Sequence, residues 1–387
     1  MEKIRGVVQN YAWGCVGNQS LAAKIASLNL SQPLEEEKPT AELWFGCHSQ
    51  GMAVVESSGI SLSEHISQNS SLYSNHKSLS FLMKILSAAK LLSIQAPPDK
   101  SWALKLHQQN PSMYKDDNHK PESLLVLSDT FEGLCGFRSP TDIFKDLSSI
   151  RNHFPKLFNQ VFPDETFLAL DSHPGALQEN FAALMTAPAE NVAHLIEALI
   201  KNDVDIPKRS LLSLLNSHFP NDRGVLCAYF MHHNVLKKGE VMWISPRTPH
   251  SYICGEGVEI MALSDNVLRA GLTPKKLDIP NLLALLDYSC SSDVSKFRLH
   301  GEEISPGVVK YQPLEIDDFA YYNLNLIQGP FEFQISTSPQ LALVLSGRIS
   351  INECEFPEGQ CVLLQPNQAY SFISMTPNAH VVVCFSQ

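Results

Sequence analysis

The side chains that could do chemistry in this 387-residue chain do not form a short metal-binding signature. The nine cysteines are scattered and none forms Cys-x-x-Cys, so neither a disulfide framework nor a thiolate zinc site is indicated. His232 and His233 are adjacent, but neighbouring residues on a strand point to opposite faces, so we do not expect them to share an ion. His250, taken alone, is more often a structural histidine than a ligand. Spacing by itself therefore assigns no site.

Seven segments combine polar, aromatic, Gly and Pro residues in a distinctive order along the chain. They are Asn10–Gly14, Ala41–Trp44, Leu92–Lys100, Tyr114–Glu122, Leu134–Arg138, Pro249–Tyr252 and Ser264–Lys275. Together they resemble the signatures of the type I mannose-6-phosphate isomerase family. Leu92–Lys100 contains Gln-Ala-Pro-Pro-Asp-Lys and resembles that family's Gln-Ala-His-Pro-Asp-Lys motif. The resemblance covers most of the chain up to about residue 280 and is weaker beyond it.

The resemblance implies a zinc ion held by Gln95, Glu122 and His250, while the family's remaining ligand falls on Pro97. Proline offers no side-chain donor, so three protein ligands remain. Two oxygens and one imidazole nitrogen suit a borderline or hard divalent cation, and three ligands plus water suffice for a catalytic site. Because even the loss of a second-shell partner costs ~10–100-fold in affinity, we expect weaker zinc binding. A replacement imidazole from His107 or His119 stays open, although the family does not use the counterpart of His119 as a ligand.

The reaction that the resemblance implies is interconversion of mannose 6-phosphate and fructose 6-phosphate through a cis-enediol. Arg269 matches the family's active-site arginine and would stabilise negative charge, whereas Lys100 and Lys275 are candidate phosphate contacts. Taken alone, Arg269 and Lys275 could equally be solvated surface charges.

A general base is also required. Lys120, Glu259 and Asp265 are the candidates, and the sequence does not rank them. We assign Lys120 to catalysis together with Arg269, and Glu259 and Asp265 to substrate binding.

Two other functions compete with this one. The first is a weakly active or inactive relative that only binds sugar phosphate, which Pro97 favours. Retention of Gln95, Glu122, His250 and Arg269 argues against it. The second is a cupin-type metal oxidoreductase, which the chain disfavours because it lacks a three-histidine or two-histidine-one-carboxylate set.

Composition limits the partners. The formal charge of -11 argues against nucleic acid, which normally needs a basic face. The N-terminus has no apolar signal-peptide region, and no apolar run approaches the length of a membrane span. We therefore expect a cytoplasmic monomer that acts on a small sugar phosphate, with no nucleic-acid or membrane partner.

The pattern of apolar residues predicts a mainly β fold with a helical insert: two cupin-like barrels plus an all-α domain. The predicted domains are 1–138 with 223–300 (catalytic barrel), 139–222 (helical) and 301–387 (second barrel). Helical spacing occurs in Thr141–Phe154, Pro174–Thr186, Asn191–Lys201 and Pro207–Ser217. Short β-type runs follow in Val225–Met231, Glu240–Ser245, Ser251–Cys254 and Val258–Ala262.

A weak internal repeat supports two related barrels. Gly239, Pro246 and His250 recur with the same spacing as Gly359, Pro366 and Tyr370. If the repeat is real, only the first barrel keeps an imidazole at the position that Tyr370 occupies in the second.

Overall fold

The structure is a computed structural model that describes residues 1–30, 33–35, 37–173, 175–326, 330–332 and 336–387. Strands make up 33% and helices 29% of it, which confirms the prediction of a mainly β fold with helices. Neither large sheet closes into a barrel within the described residues, so the two cupin-like barrels and the separate all-α domain stay predictions. No helix in these ranges is long and apolar enough to cross a membrane.

The strands are β1 (Glu2–Arg5), β2 (Val7–Gln9), β3 (Cys15–Val16), β4 (Pro39–Thr40), β5 (Glu42–Gly46), β6 (Val54–Val55), β7 (Phe81–Ala88), β8 (Ile94–Ala96), β9 (Glu122–Val126), β10 (Thr130–Arg138), β11 (Met231–Lys237), β12 (Val241–Ile244), β13 (His250–Ala262), β14 (Leu268–Gly271), β15 (Cys290–Ser291), β16 (Glu302–Ser305), β17 (Val308–Tyr311), β18 (Ala320–Leu326), β19 (Pro330–Glu332), β20 (Gln340–Ser346), β21 (Arg348–Ile351), β22 (Cys354–Pro357), β23 (Cys361–Leu364), β24 (Ser371–Ser374) and β25 (Ala379–Phe385). The helices are α1 (Leu21–Asn29), α2 (Leu62–Gln68), α3 (Lys100–Gln109), α4 (Pro140–His153), α5 (Pro155–Val161), α6 (Asp164–Leu168), α7 (Ala176–Thr186), α8 (Ala189–Lys201), α9 (Arg209–His218), α10 (Gly224–Phe230) and α11 (Ile279–Leu285).

Strand β13 organises the larger, 11-stranded sheet of the described residues. It is 13 residues long and pairs with β7, β8, β9 and β10 along different parts of its length. The sequence predicted two short runs here, but one strand spans both. Gly255 permits this continuity, because it has φ +124° and a Cβ there would lie 2.5 Å from the Phe131 ring.

Helices α4 to α10 follow β10 and pack together around a large apolar core. Helix α4 begins where the sequence predicts a start: Pro140 occupies the first turn, and the Ser139 hydroxyl accepts a hydrogen bond from the Asp142 N–H. The same core includes Ile94, Phe137 and Leu268 from the sheet, so helices and sheet share their apolar interior.

Three of the predicted helical segments correspond to α4, α8 and α9, and the fourth to α7, although Pro174 lies outside the described residues. The prediction of a β-type run over Val225–Met231 is wrong. Helix α10 covers Gly224–Phe230, and all seven of its residues are buried. A helix buried on every side has no polar face, so its short apolar run cannot be distinguished from a strand by periodicity.

The 8-stranded sheet runs in the order β16-β17-β18-β25-β20-β23-β1-β6. Strand β1 pairs with β23, so the first residues of the chain extend the sheet built by its last residues. The proposed repeat has local structural counterparts: Gly239 and Gly359 take φ +87° and +84°, and each precedes a strand, β12 and β23. The domain boundaries that the sequence suggests stay predictions.

Candidate active site

A cavity of about 880 Å³ lies against the larger sheet. Charged and amide side chains from six strands line it: Glu42 of β5, Lys84 of β7, Gln95 of β8, Glu122 of β9, Glu259 of β13 and Arg269 of β14. Strand pairing positions these residues, because β8 lies between β13 and β14, with Gln95 opposite both His250 and Arg269. Glu122 begins β9 and pairs with Met261 of β13.

Three donors meet at the wall of the cavity: Gln95 and Glu122 line it, and His250 contacts both of them. The Nε2 atom of His250 lies 3.3 Å from the Gln95 amide and 2.9 Å from Glu122 Oε2. The Gln95 amide oxygen and nitrogen are interchangeable by a flip, so either can face the imidazole. His250 Nδ1 lies 3.2 Å from the Thr248 carbonyl, which can only accept, so a proton on Nδ1 would be donated to that carbonyl and would leave Nε2 for a metal ion.

The arrangement fits a divalent cation. Glu122 Oε2 is buried and has no hydrogen bond, although the imidazole nitrogen is close. Two donors that each lie ~2.0–2.2 Å from one ion are themselves separated by roughly 2.9–3.4 Å, which is the spacing found here. Within the described ranges no three His, Cys, Asp or Glu residues form a metal-binding group, because the third donor is a glutamine.

Glu122 is an anion in this environment. Burial acts to raise its pKa, but Lys120, His250 and Lys84 outweigh burial and hold the pKa of Glu122 well below its usual range. The Lys120 ammonium lies 2.9 Å from Glu122 Oε1, so one carboxylate oxygen is paired and the other faces the imidazole. A metal ligand must be deprotonated, which this carboxylate is.

Pro97 contributes no donor to this group. It is buried, and its carbonyl oxygen accepts a hydrogen bond of 2.7 Å from the Arg247 N–H. The two histidines considered as replacements are also engaged elsewhere: His107 with the Tyr114 carbonyl at 2.7 Å, and His119 with Asp318 at 2.6 Å.

A buried ion network that the sequence did not predict forms a second wall of the cavity. Lys84 Nζ lies 2.6 Å from Glu259 Oε2 and 3.7 Å from Glu42 Oε1. Tyr252 donates to Glu259 Oε1 at 2.7 Å, and Trp44 Nε1 donates to Glu42 Oε2 at 2.6 Å. One feature of the sequence could have revealed this network: a single lysine within the apolar strand β7, whose eight residues are all buried. Lysine is rarely buried unless it is paired, so this position implies acidic partners.

The network favours the charged form of Lys84, whereas burial favours the neutral form of Glu42. Burial lowers the pKa of Lys84, but Glu259, Glu42 and Glu122 raise it more, so its net pKa lies above the usual range. Burial raises the pKa of Glu42, and Lys84 lowers it only in part. Lys84 is therefore a permanent cation on which two buried carboxylates depend.

Asp265 is held by two side-chain donors. His48 Nδ1 accepts the Gln50 N–H at 3.2 Å, so the proton lies on Nε2, which is 3.3 Å from Asp265 Oδ1. The Gln50 amide donates to Asp265 Oδ2 at 2.7 Å. Burial acts to raise the pKa of Asp265, but His48 and the nearby Lys115 and Lys120 bring it below its usual value. Asp265 thus faces the cavity as an oriented anion.

The predicted phosphate contacts separate in the structure. Arg269 and Lys275 both line the cavity, and the proximity of Arg269, followed by partial burial, lowers the pKa of Lys275. In the described part of the chain neither cation has a carboxylate partner within ion-pair distance. Lys100 is instead exposed at the start of α3 and does not line the cavity.

Comparison with known proteins agrees with this geometry. Residues 1–140 match the family described as "Phosphomannose isomerase type I, catalytic domain". Mannose-6-phosphate isomerase 1 of Arabidopsis thaliana is 34% identical over 373 residues, which cover 90% of this chain and 84% of the plant protein. The chain belongs to the type I mannose-6-phosphate isomerase family. This confirms the resemblance drawn from the seven segments.

Other family members give the same result. Mannose-6-phosphate isomerase of Homo sapiens is 35% identical over 372 residues, covering 88% of this chain and 86% of the human protein. The crystal structure of mannose 6-phosphate isomerase from Salmonella typhimurium bound to fructose 6-phosphate and zinc aligns with a TM-score of 0.79 at 25% identity, covering 100% of this chain and 99% of that one. The zinc-bound holo form aligns with a TM-score of 0.78.

Proposed function

We propose that this chain interconverts mannose 6-phosphate and fructose 6-phosphate with the help of a bound divalent metal. The observation that carries the proposal is the contact of His250 with Gln95 and Glu122, both of which line the same cavity as Arg269. The chain belongs to a family whose relatives are named for this activity. A solved relative holds fructose 6-phosphate and zinc. None of these findings supports the alternative of an inactive family member.

Gln95, Glu122 and His250 would hold the metal. A zinc ion held by these residues would supply Lewis-acid chemistry that stabilises negative charge on the substrate. The loss of a fourth ligand at Pro97 weakens this binding without removing it, because three protein ligands are the usual number for a catalytic zinc.

Lys275 would bind the phosphate group, and Arg269 beside it would stabilise the negative charge that develops on the substrate. Both line the cavity and neither has a carboxylate partner within ion-pair distance among the described residues, so their charge is available to a dianion. Asp265 and Glu259 would accept hydrogen bonds from sugar hydroxyls and fix the orientation of the chain of carbon atoms. Lys100 has no part in this site, since it is exposed outside the cavity.

Lys120 would carry the proton between C1 and C2; to accept it, the ammonium group that faces Glu122 must first release a proton, which the amine then replaces with the one taken from the sugar carbon. Both oxygens of Glu259 are engaged by Lys84 and Tyr252, and both oxygens of Asp265 are engaged by His48 and Gln50, so those carboxylates serve poorly as bases. Lys120 is mostly buried, lines the cavity and lies beside the metal ligand Glu122.

The test is a Lys120→Met variant of the full chain. We expect kcat to fall by roughly 10²–10⁴, while the Kd for mannose 6-phosphate changes little. A Lys105→Met variant on the exposed face of α3 is the control. If Lys120→Met keeps normal turnover, another group moves the proton. If the wild type shows no turnover with any divalent metal, the proposed activity itself is wrong.

The two large sheets are also the proposed counterparts of two cupin-like barrels, with domains at 1–138 and 223–300, 139–222, and 301–387. The turn-strand repeat at Gly239 and Gly359 supports this arrangement. The apolar core that α4 to α10 share with Ile94, Phe137 and Leu268 would join the helical domain to the sheet. A monomeric state and a cytoplasmic location stay predictions.

A further inference from the structure

The donor set at the wall of the cavity is small and oxygen-rich. Gln95 and Glu122 supply oxygens, and His250 supplies the one nitrogen. Within the described ranges no other imidazole, thiolate or carboxylate completes a group of three such residues. The Pro97 carbonyl oxygen is directed at the Arg247 N–H, from which it accepts a hydrogen bond of 2.7 Å.

The missing donor also leaves an opening. Glu122 and His250 are buried, with 2% and 1% of their surfaces exposed, whereas Gln95 is only partly buried and lines the cavity. A cation held by these three would be enclosed on the protein side and open toward the cavity. A six-coordinate ion would then have about three positions for water or substrate oxygens, against about two with four protein ligands.

The type of donor matters as much as the number. Imidazole suits zinc, whereas carboxylate, carbonyl and water oxygens suit manganese and magnesium. Loss of a nitrogen donor therefore weakens zinc more than manganese. Zinc still binds more tightly in absolute terms, since affinity of a given site rises from Mn²⁺ to Zn²⁺, but the difference between the two ions becomes smaller.

We infer that this chain has a three-donor, open metal site that releases its ion readily and discriminates only weakly between Zn²⁺ and harder divalent cations such as Mn²⁺. The inference rests on the proposed function, since it concerns the same site. Its consequence is that the metal bound by the protein depends on the available concentrations of the two ions, and not on zinc affinity alone.

The test compares the full wild-type chain with Pro97→His and Pro97→Ala after removal of metal by a chelator. Competition with a coloured chelator gives the Kd for Zn²⁺ and for Mn²⁺. In an extended segment residues 95 and 97 face the same side, so the new imidazole in Pro97→His would join the site. We expect Pro97→His to bind Zn²⁺ at least ~10–100-fold more tightly than wild type and to gain less for Mn²⁺. Pro97→Ala removes the ring without adding a donor and should match wild type.

A second measurement does not depend on the folding of any variant. Water-proton relaxation on the Mn²⁺-loaded wild-type chain counts exchangeable waters at the ion, and about three are expected for a six-coordinate site with three protein ligands. A count of two or fewer, or a wild-type Zn²⁺ affinity equal to that of a folded Pro97→His, would overturn the inference while the proposed isomerase stands. If wild type binds neither ion and has no turnover, the proposed function fails instead.

Discussion

The buried network around Lys84 makes a sharp prediction about stability. In the wild type the Lys84 ammonium lies 2.6 Å from Glu259 and 3.7 Å from Glu42. Lys84→Met replaces this side chain with a linear apolar one of similar length. Only 7% of the Lys84 side chain is exposed, and 4% and 6% of the two carboxylates. The substitution therefore leaves two acidic groups close together in a nearly dry environment without a cation.

The cost follows from that burial. Breaking a buried ion pair by removing one partner costs about 3–5 kcal/mol, because the remaining charge is uncompensated. Since each kcal/mol shifts the melting temperature by roughly 2–4 °C in a domain of 150–250 residues, we expect Lys84→Met to melt about 6–20 °C lower at pH 7. Differential scanning calorimetry in the presence and absence of metal measures this shift.

The loss should also depend on pH with a defined sign. Burial raises the pKa of Glu42, and Lys84 opposes that rise. Without Lys84 the folded-state pKa rises further above the unfolded value of about 4.3. The folded state then holds a proton that the unfolded state releases, so the variant is most stable below pH 4 relative to wild type and loses stability as pH increases toward 8.

A double variant provides the control. Glu259→Gln combined with Lys84→Met removes one of the two carboxylates left without a cation, so it should be more stable than Lys84→Met alone at pH 7. The reasoning is refuted if Lys84→Met melts within about 1 °C of wild type. It is also refuted if the double variant loses more unfolding free energy than the two single variants lose together.

Two further predictions concern substrate binding. Lys275→Ala should raise KM for mannose 6-phosphate by up to about fivefold, because an exposed ion pair contributes about 0.2–1 kcal/mol. The rise should be larger at low salt than at high salt, since salt screens the pair. Lys100→Ala should leave KM unchanged, and an equal effect of both substitutions would contradict the assigned phosphate site. His48→Asn should move the acid limb of the kcat/KM profile to higher pH, because His48 helps to lower the pKa of Asp265 and this carboxylate must be ionised to accept a sugar hydroxyl. An unmoved acid limb would show that Asp265 does not act as an anion in the site.

Motifs in the sequence pointed to the proposed metal ligands, but the sequence could not show how these residues meet. Gln95 and His250 are separated by 155 residues and become neighbours only through the register of β8 with β13. Register depends on pairing across the whole sheet, which no local pattern encodes. The family signatures therefore provided the residues, and the structure provided their distances.

Other features of the fold and of the site were harder to predict from the sequence. The helices with one apolar face, such as α4 and α8, were predicted from spacing, whereas the fully buried α10 was mistaken for a strand because its residues Gly224–Phe230 have no polar face. Lys84 was missed because it is a lone polar residue in an apolar strand. His48 was missed because its neighbours Ser49 and Gln50 give it no distinctive pattern, and only tertiary contacts reveal the partners of both residues.

The central claim is that metal held by Gln95, Glu122 and His250 supports isomerase turnover. The most direct measurement is conversion of mannose 6-phosphate to fructose 6-phosphate by the purified full chain, before and after chelation, and again after zinc or manganese is restored. His250→Ala with a normal circular dichroism spectrum serves as the comparison. We predict turnover that chelation abolishes and added metal restores in the wild type, and none in His250→Ala. Turnover that survives both chelation and His250→Ala would contradict the account.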